Sequence, residues 1–441
     1  MLLDVSAVLV VVALAALIVQ PPFGVPLLLL VRPIVDATWA QTIAFDVNLS
    51  MLLGVLVPTI VLLRGVLRGG HDDGIGRVPL VLPWLAFSLY ALAFCAIIAF
   101  VDGWLNGIDV FFRHINGVVG FFMVQAWFRD DAAIRRLMLA VAAAGAFPMA
   151  IGLYQIATGY QWTDAQVEGL TRNVGLYHDA FTVRFYMMQT LLALVIYGGL
   201  HPRLGPLRMT LLLGYGLLAF VVLFKAYSKS AMATLLLWGV VWMALRPRSW
   251  WIGAVGIAAL ATFLSFAVDP ADQIAQLFNK ELSALAGQGD IRLTFQGRWF
   301  AWADMLDEWR SYAPLQQVFG SGHKSIGSHN DYILLLLHGG IVGASLYVAL
   351  LAAVGMRIAG NLRRDRSVLN LAAAMAFVMW LIDSIGLVPS AYPPYQWFVW
   401  GVIGLAIRRD AERARVPTEI AQPRRTKFLF APVPTVPLGR G

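Results

Sequence analysis

Three polar side chains stand directly in front of an apolar run in the segment GSHNDYILLLLHGGIVG, residues 327–343. His329 carries a titratable imidazole, and the neighbouring Asn330 amide and Asp331 carboxylate could fix its tautomer, which is the arrangement of a general base. The same residues suit a helix start, because Ser328 or Asn330 is a natural N-cap and Asp331 favours the first turn. Capping does not require His329, so this residue is the candidate for proton transfer.

Glycines and a second histidine follow within the apolar run. Gly340 and Gly343 share a helix face, which predicts close helix packing and would fix the direction in which the helix mouth points. His338 lies nine residues after His329, about 180° around a helix of 3.6 residues per turn. The two histidines are therefore not expected to form a metal pair, and His338 is predicted to be an interior residue.

The composition defines the class of protein. Hydrophobic residues make up 59% of the 441 positions and charged residues 13%, and the mean hydropathy is +0.71. A soluble domain carries about 25% charged residues, so these values predict a multi-pass membrane protein. The net charge of +8 comes from short Lys and Arg clusters between apolar runs, a pattern that argues against nucleic-acid binding. The single cysteine, Cys95, excludes a disulfide framework and a cysteine-based metal site.

Apolar runs and their breakers predict an all-α fold of about twelve transmembrane helices. They are expected at 5–31 with a bend at Pro21 and Pro22, 47–66, 79–101, 108–128, 133–157, 180–200, 207–226, 230–246, 249–268, 331–355, 367–388 and 395–407. Arginines concentrate in the connectors that follow even-numbered spans, so these connectors and both termini are predicted to be cytoplasmic. The N-terminal run has no basic flank and no cleavage site, which predicts a retained first helix.

One long connector divides the spans into two groups. Residues 1–268 contain spans one to nine, and residues 331–407 contain the last three spans. Residues 269–330 between them form a loop of about sixty residues on the non-cytoplasmic side. Its apolar residues have helical spacing, so we expect a small helical periplasmic unit on the membrane surface and call it the lid. The basic tail 408–441 is predicted to be cytoplasmic and disordered.

The polar residues and glycines at 327–343 also form a motif with defined spacing. The pattern is His-Asn, nine residues and Gly-x-x-Gly, which is read here as His329, Asn330, Gly340 and Gly343. Upstream, the segments GRWFAWADML and PLQQVFGSGHKSIGSHN add a Gly-Arg pair, a tryptophan, a short helix and a Gly-x-Gly turn. These features resemble the O-antigen ligase and O-antigen polymerase superfamily. Motif-level agreement is confined to about residues 297–343, whereas the order of elements and the topology are similar over most of the chain.

The resemblance implies a metal-independent glycosyltransferase of the bacterial inner membrane, with a periplasmic active site and no cofactor. Its donor would be a glycan on undecaprenyl diphosphate, and its acceptor would be a sugar hydroxyl. His329 would deprotonate or orient that hydroxyl, helped by Asn330 or Asp331. Because a diphosphate is already a good leaving group, the reaction requires cations that hold its charge more than it requires an acid.

Two arginines are candidates for these cations. Arg298 in QGRWFAW matches the arginine of the family's outer loop, and the alternative is a surface salt bridge to Asp304 or Asp307. Arg184 near the start of the sixth span stands where the family commonly has a further arginine, and the alternative is anchoring at the membrane interface.

Two lysines are candidates at the position where the chain departs from the family. The family usually shows Ser-Arg and a small residue, whereas this chain has Ser228, Lys229 and Ser230. Lys229 can neutralise a phosphate as a point charge but cannot form the bidentate fork of an arginine, so either the phosphate is held less tightly here or Lys225 assists. Snorkelling of both lysines to the interface is the structural alternative.

Further side chains of the outer connectors are candidates for sugar contacts. They are Trp302 and Tyr332 for stacking on pyranose rings, and Arg172 and His178 for hydroxyl groups. Aromatic residues are also expected at the interfaces of any membrane protein, so the stacking role competes with simple anchoring.

The resemblance leaves the acceptor open. A polymerase of surface polysaccharide or exopolysaccharide would extend a lipid-linked glycan, and the HNDY form favours this reading. A ligase would instead transfer a finished chain to lipid A core. The alternative from another class is a non-enzymatic flippase or transporter of lipid-linked sugars. The concentration of polar residues in the lid and at the start of the tenth span argues against this alternative. The expected partners are the donor, the acceptor, membrane lipids, a flippase and a chain-length regulator, with no nucleic acid.

Overall fold

The computed structural model describes residues 2–44, 47–67, 79–163, 165–201, 204–245, 270–325 and 329–415. Within these ranges the sheets are two short antiparallel pairs, β1 Thr42–Ala44 with β2 Val47–Asn48 and β3 Gln166–Val167 with β4 Leu170–Thr171. Almost all other regular structure is helical. The predicted all-α class is therefore confirmed for the described part of the chain.

The helices fall into three groups along the chain. Those before the lid are α1 Leu2–Val19, α2 Pro21–Asp36, α3 Leu49–Leu67, α4 Val81–Val101, α5 Trp104–Trp127, α6 Asp131–Ala144, α7 Ala146–Thr158, α8 Ala180–Leu200, α9 Pro206–Lys225 and α10 Lys229–Leu245. The lid contains α11 Pro270–Leu277, α12 Asn279–Leu285, a 3-10 helix Ile291–Gly297, α13 Arg298–Ser311 and α14 Pro314–Phe319. After the lid come α15 Asp331–Arg364, α16 Val368–Gly386, a 3-10 turn Pro389–Ala391 and α17 Pro393–Arg415.

The described helices have the lengths and composition of membrane spans. Eight helical segments in the described ranges are long and apolar enough to cross a bilayer, and Leu49–Gly65 and Lys229–Leu245 are apolar but shorter. The chain is thus a multi-pass membrane protein. The predicted span 249–268 lies outside the described residues, and the count of about twelve spans stays a prediction.

The first predicted span is two helices and not one bent helix. Helix α1 ends at Val19, and α2 begins with Pro21 at its first position, where a missing N–H is tolerated. Gly24 lies against the backbone of Ala16 and Leu17, so a Cβ atom there would be 2.3 Å from the Leu17 nitrogen. In a continuous helix these residues would be about 10 Å apart. The chain therefore reverses direction at the proline pair, and α1 packs back along α2.

Helix α15 has a kink at Gly340 that the spacing of its glycines does not predict. Gly340 has φ 62° and ψ −165°, so the regular helix is interrupted there. A Cβ atom at Gly340 would be 2.3 Å from the carbonyl oxygen of Val318, which places the end of α14 against the kink. Gly343 does pack against a neighbouring helix, because a Cβ atom there would be 3.1 Å from the Tyr90 ring of α4. Both glycines thus lie in close contact with a neighbouring helix, and Gly340 also accommodates a break in α15.

Glycines of α5 allow α17 to approach closely. A Cβ atom at Gly120 would be 2.7 Å from the carbonyl oxygen of Gln396 and from the Cα atom of Trp397. Trp397 Nε1 donates a hydrogen bond to Asn116 Oδ1 at 2.8 Å, and Gln396 Nε2 donates to the Ser390 carbonyl at 2.6 Å. These contacts fix the start of α17 and the 3-10 turn before it.

Several helix ends meet on one side of the bundle, which we call the lid face. Tyr186 near the start of α8 donates to Asp36 Oδ2 at the end of α2, at 2.6 Å. The end of the lid is fixed to the same side, because Lys324 Nζ lies 3.0 Å from Asp109 Oδ2 in α5. The lid face therefore gathers residues from distant parts of the chain around the start of α15.

Candidate functional site

His329 and Asn330 occupy the mouth of α15 with different backbone conformations. Asn330 is the N-cap, and its Oδ1 accepts hydrogen bonds from the backbone N–H groups of Tyr332 and Ile333 at 3.0 and 3.1 Å. The predicted cap is thus confirmed at Asn330. His329 has φ 45° in the left-handed region and is exposed. The residue that bears the imidazole therefore lies outside the start of the helix.

Asp331 is buried beside the 3-10 turn between α16 and α17. Its Oδ1 accepts a hydrogen bond from Ser390 Oγ at 2.6 Å, and its Oδ2 accepts one from the Ser390 backbone N–H at 3.3 Å. Asp331 is only 5% exposed. These contacts make Asp331 a residue that positions the mouth of α15, and they leave His329 as the exposed titratable group there.

The electrostatic surroundings of His329 favour its neutral form. Partial burial lowers the pKa of the His329 imidazole, the positive charge of Arg298 lowers it further, and the negative charge of Asp179 acts in the opposite direction. A neutral imidazole near neutral pH can accept a proton, which is the state that a general base requires.

Arg298 begins α13 and reaches the end of α16. It follows Gly297, whose φ of 73° suits glycine, and its Nη1 donates a hydrogen bond to the Gly386 carbonyl. Burial lowers the pKa of Arg298, and the positive charges of Arg172 and Arg184 lower it further. Arg298 therefore binds the end of α16 three residues beyond Asp383, the residue to which Arg184 is bound.

The surface salt bridge considered for Arg298 is not the contact that its side chain makes. Asp307 Oδ1 instead lies 2.6 Å from Arg310 Nη1, three residues further along α13. The hydrogen bond from Arg298 to Gly386 joins the lid to the bundle, so this arginine contributes to the lid face and not to the outer surface of α13.

Arg172 lies between the β3–β4 hairpin and α8. Its Nε donates a hydrogen bond to the Ala226 carbonyl at 3.0 Å. Burial lowers the pKa of Arg172, the negative charge of Asp179 raises it, and the positive charge of Arg184 lowers it. Arg172 was predicted to bind sugar hydroxyls, and the contact that the structure gives its side chain is with the carbonyl after the end of α9.

Arg184 is buried beneath this group in an ion pair. Its Nη2 donates to Asp383 Oδ1, and Asp383 Oδ2 accepts a hydrogen bond from the Tyr395 hydroxyl at 2.5 Å. Arg184 is 1% exposed and Asp383 is fully buried. Arg184 Nε and Nη1 have no hydrogen-bond partner among the described residues. Arg184 thus lies buried in the bundle, and its positive charge is paired with the Asp383 carboxylate.

Lys229 and Lys225 contact the lid. Lys229 Nζ lies 2.8 and 2.7 Å from the two carboxylate oxygens of Glu281 in α12. Lys225 Nζ donates to the Tyr227 hydroxyl at 3.0 Å and to Gln273 Oε1 of α11 at 3.3 Å. The structure therefore brings the two lysines together at the first lid helices, and simple snorkelling does not describe their contacts.

The residues predicted to contact sugars are separated. His178 is exposed and lies edge-on to Trp39, with ring centroids 4.6 Å apart. Tyr332 packs toward Tyr347 in the core, with ring centroids 6.1 Å apart. Trp302 is half-buried on α13. Of these aromatic and imidazole groups, His178 has the environment most open to a ligand.

Asp179 lies in the same outer connector as Arg172 and His178 and is, like them, a candidate from the sequence for binding sugar hydroxyls. Its Oδ1 caps α8 by accepting from the Thr182 backbone N–H at 3.1 Å, and its Oδ2 accepts from the Tyr392 hydroxyl at 3.1 Å. The charge of Asp179 acts on both His329 and Arg172. The spacing of Asp179 and Thr182 before an apolar run is a capping signal, but the contact with Tyr392 has no local signature.

The described ranges contain no group of three or more His, Cys, Asp or Glu side chains arranged to hold a metal ion. Comparison with protein-family models gives no match, and comparison with curated proteins gives no significant match. The fold and the lid face together define a multi-pass membrane protein with a polar site where a helical lid meets the helix ends.

Proposed function

We propose that this chain is a glycosyltransferase that moves a glycan from an undecaprenyl-diphosphate carrier to a sugar hydroxyl. The observation that carries the proposal is that two arginines bind the end of α16, Arg298 at the Gly386 carbonyl and Arg184 at Asp383. The turn that follows α16 holds Asp331 through Ser390, next to His329 and Asn330 at the start of α15, and the charge of Arg298 acts on His329. A base beside a cluster of cations suits a reaction in which a hydroxyl loses a proton while an anionic group departs.

The proposed reaction is a single displacement. The acceptor oxygen forms a bond to the anomeric carbon of the donor, and its proton passes to the neutral imidazole of His329. The bond between that carbon and the diphosphate oxygen breaks, and the diphosphate keeps the electron pair. Arg298 and Arg172 hold the charge that develops on the leaving group, whereas Arg184 is already paired with Asp383 and adds little net charge.

The location follows from the same chemistry. A lipid-linked donor keeps its carrier in the bilayer, so its diphosphate lies at the level of the helix ends where the arginines lie. We place the lid face at the periplasmic side of a bacterial inner membrane and the end of α17 at the cytoplasmic side, since arginines concentrate in the opposite connectors. A flippase that delivers the donor and a chain-length regulator are the expected protein partners.

The polymerase reading is preferred over two alternatives. A ligase would use the same residues and differ in its acceptor, which would be lipid A core. A non-enzymatic flippase would need ionisable groups that serve transport through the bilayer. The intramembrane acid Asp383 is instead bound by Arg184 and Tyr395, which supports a structural task for this acid.

The test compares two histidines of the same region in a strain that lacks its own copy of the gene. We expect His329→Ala to abolish polymer formation, and single repeat units to accumulate on the lipid carrier. His323→Ala is the matched control, because His323 is exposed in the loop before α15 and lies 3.5 Å from Asp102. Long unattached chains would identify a ligase. Normal glycans with both variants would contradict the proposed function.

A further inference from the structure

A polar cleft opens on the lid face. It has a volume of about 260 Å³ and lies among the end of α2, the start of α3, the start of α8 and the segment that leads into α17. Its lining includes Arg32, Asp36, Trp39, His178, Asp179 and Tyr392. The cleft is therefore built from four parts of the chain that the sequence motif at 327–343 does not include.

One residue that lines the cleft is a buried arginine with an N–H donor that has no hydrogen-bond partner among the described residues. Arg32 is 1% exposed, its Nε lies 2.8 Å from Asp36 Oδ1, and its Nη2 donates to the Ser50 carbonyl at 3.1 Å. Arg32 Nη1 has no hydrogen-bond partner among the described residues. A buried donor without a partner is unfavourable, so a sugar hydroxyl that reaches Nη1 from the cleft would satisfy it.

The wall of the cleft has an aromatic surface. Trp39 is 37% exposed, and the His178 ring stands against it at 84°. An exposed indole face held by a neighbouring ring is suited to the apolar C–H face of a pyranose, while carboxylates nearby accept its hydroxyl groups. Asp179 and Asp36 supply these carboxylates on the two sides of the cleft.

The charge of the cleft favours a neutral ligand. The positive charge of Arg32 is paired with Asp36, and Asp179 adds a second carboxylate. An acidic sugar would bring its own negative charge next to these groups, and the attraction of one arginine would not offset two carboxylates. The chemistry therefore selects the hydroxyl groups of an uncharged sugar.

Asp179 connects the cleft to the proposed base. It lines the cleft, and its charge raises the pKa of His329. Arg298 acts on the same histidine with the opposite sign.

We propose that this cleft is the acceptor subsite and binds a neutral pyranose at the end of the acceptor glycan. Trp39 stacks on the sugar ring, and Arg32, Asp36 and Asp179 bind its hydroxyl groups. The sugar then presents one hydroxyl to His329, while the donor diphosphate lies by the arginines. This inference rests on the proposed function for the order of the reaction, but binding in the cleft is measurable without turnover.

The binding test uses purified full-length protein in detergent and saturation-transfer NMR. The probes are the methyl pyranosides of glucose, galactose, mannose and rhamnose at millimolar concentration, with methyl glucuronide as the charged comparison. We expect at least one neutral pyranoside to bind, and Trp39→Ala to weaken its binding roughly tenfold, as the loss of an aromatic contact would. Trp162→Ala is the control, because Trp162 is also exposed, at 43%, but does not line the cleft.

Three results would overturn the inference. They are equal binding by the Trp39→Ala and Trp162→Ala proteins, no binding of any pyranoside by the wild type, and binding confined to the glucuronide. Failure of the proposed function gives a different result. In that case the neutral pyranoside binds in a Trp39-dependent manner, but His329→Ala leaves the cellular glycans unchanged.

Discussion

Lys229 holds the carboxylate of Glu281 in the lid through both of its oxygens, at 2.8 and 2.7 Å. The pair is largely shielded, with side chains 15% and 19% exposed, and the lysine also stands 5.7 Å from the Phe278 ring. The resemblance assigns Lys229 to the donor diphosphate, whereas the structure shows it bound to the lid. A diphosphate that uses this lysine must displace Glu281, so donor binding and lid position are expected to be coupled.

Glu281→Gln should therefore strengthen donor binding. The amide removes the negative charge that competes with the diphosphate for Lys229. An ion pair of this kind contributes about 1 kcal/mol to the free energy of the bound state, so the donor KM should fall about fivefold. Steady-state kinetics with lipid-linked glycan measure the change. Asp304→Asn, an exposed carboxylate on α13, is the control and should leave the KM unchanged. A KM that rises in Glu281→Gln would show that the pair serves only to hold the lid.

Arg298→Gln should move the pH dependence of transfer. The positive charge of Arg298 is one cause of the lowered pKa of His329, so its removal raises that pKa toward the ordinary value of about 6.5. A general base loses activity as pH falls through its pKa, and the acidic limb of the rate profile should therefore shift to higher pH. Arg310→Gln on the exposed side of the same helix should not shift it. An acidic limb at the same pH in both variants would contradict the role of His329 as the base.

Gly340→Ala should prevent stable folding or greatly lower the melting temperature. The residue has φ 62°, and a Cβ atom would be 2.3 Å from the Val318 carbonyl oxygen. The backbone conformation alone is unfavourable by about 1–3 kcal/mol for a residue other than glycine. Fluorescence-detected thermal denaturation in detergent measures the effect.

Two further glycines of α15 provide graded comparisons for that experiment. Gly343→Ala should be mildly destabilising, because its Cβ atom would be 3.1 Å from the Tyr90 ring. Gly360→Ala should be neutral or slightly stabilising, because the nearest atom is the end of the Arg364 side chain at 3.9 Å. Equal melting temperatures for all three variants would rule out a kink at Gly340.

The reversal between α1 and α2 predicts that the two ends of the described chain lie on opposite sides of the membrane. The start of α1 lies toward the lid face because α1 runs antiparallel to α2, whereas α17 ends on the other side. Topology reporters fused separately to the two termini should therefore respond from different compartments. Reporters that both respond from the cytoplasm would support the prediction made from the arginine distribution and contradict the hairpin.

The sequence was most informative where structure is local. Asn330 was predicted as a helix cap from its position before an apolar run, and capping depends only on the next three residues. Gly343 was recognised because small residues recur at helix spacing. The break at Gly340 was not predicted, because the approach of Val318 to this residue is encoded by no spacing within α15.

Contacts between distant residues were beyond the reach of pattern analysis. The partner of Lys229 is 52 positions away in the lid, and the cleft joins residues from Arg32 to Tyr392. Its charge indicated that Lys229 requires an acidic partner, but several Asp and Glu residues of the lid could serve as that partner equally well. The choice among them is made by the packing of the helices, and only the folded structure reveals it.

The Arg184–Asp383 pair has a consequence for biosynthesis. The two residues are 199 positions apart, and at about 5–20 residues per second the ribosome needs roughly 10–40 s to pass from one to the other. During that interval α8 contains an arginine whose acid has not been made. Arg184 lies only in the second turn of α8, so its side chain can remain at the interface until α16 arrives. A nascent chain arrested before Asp383 would therefore keep this arginine in contact with water, and its burial marks the completion of the bundle.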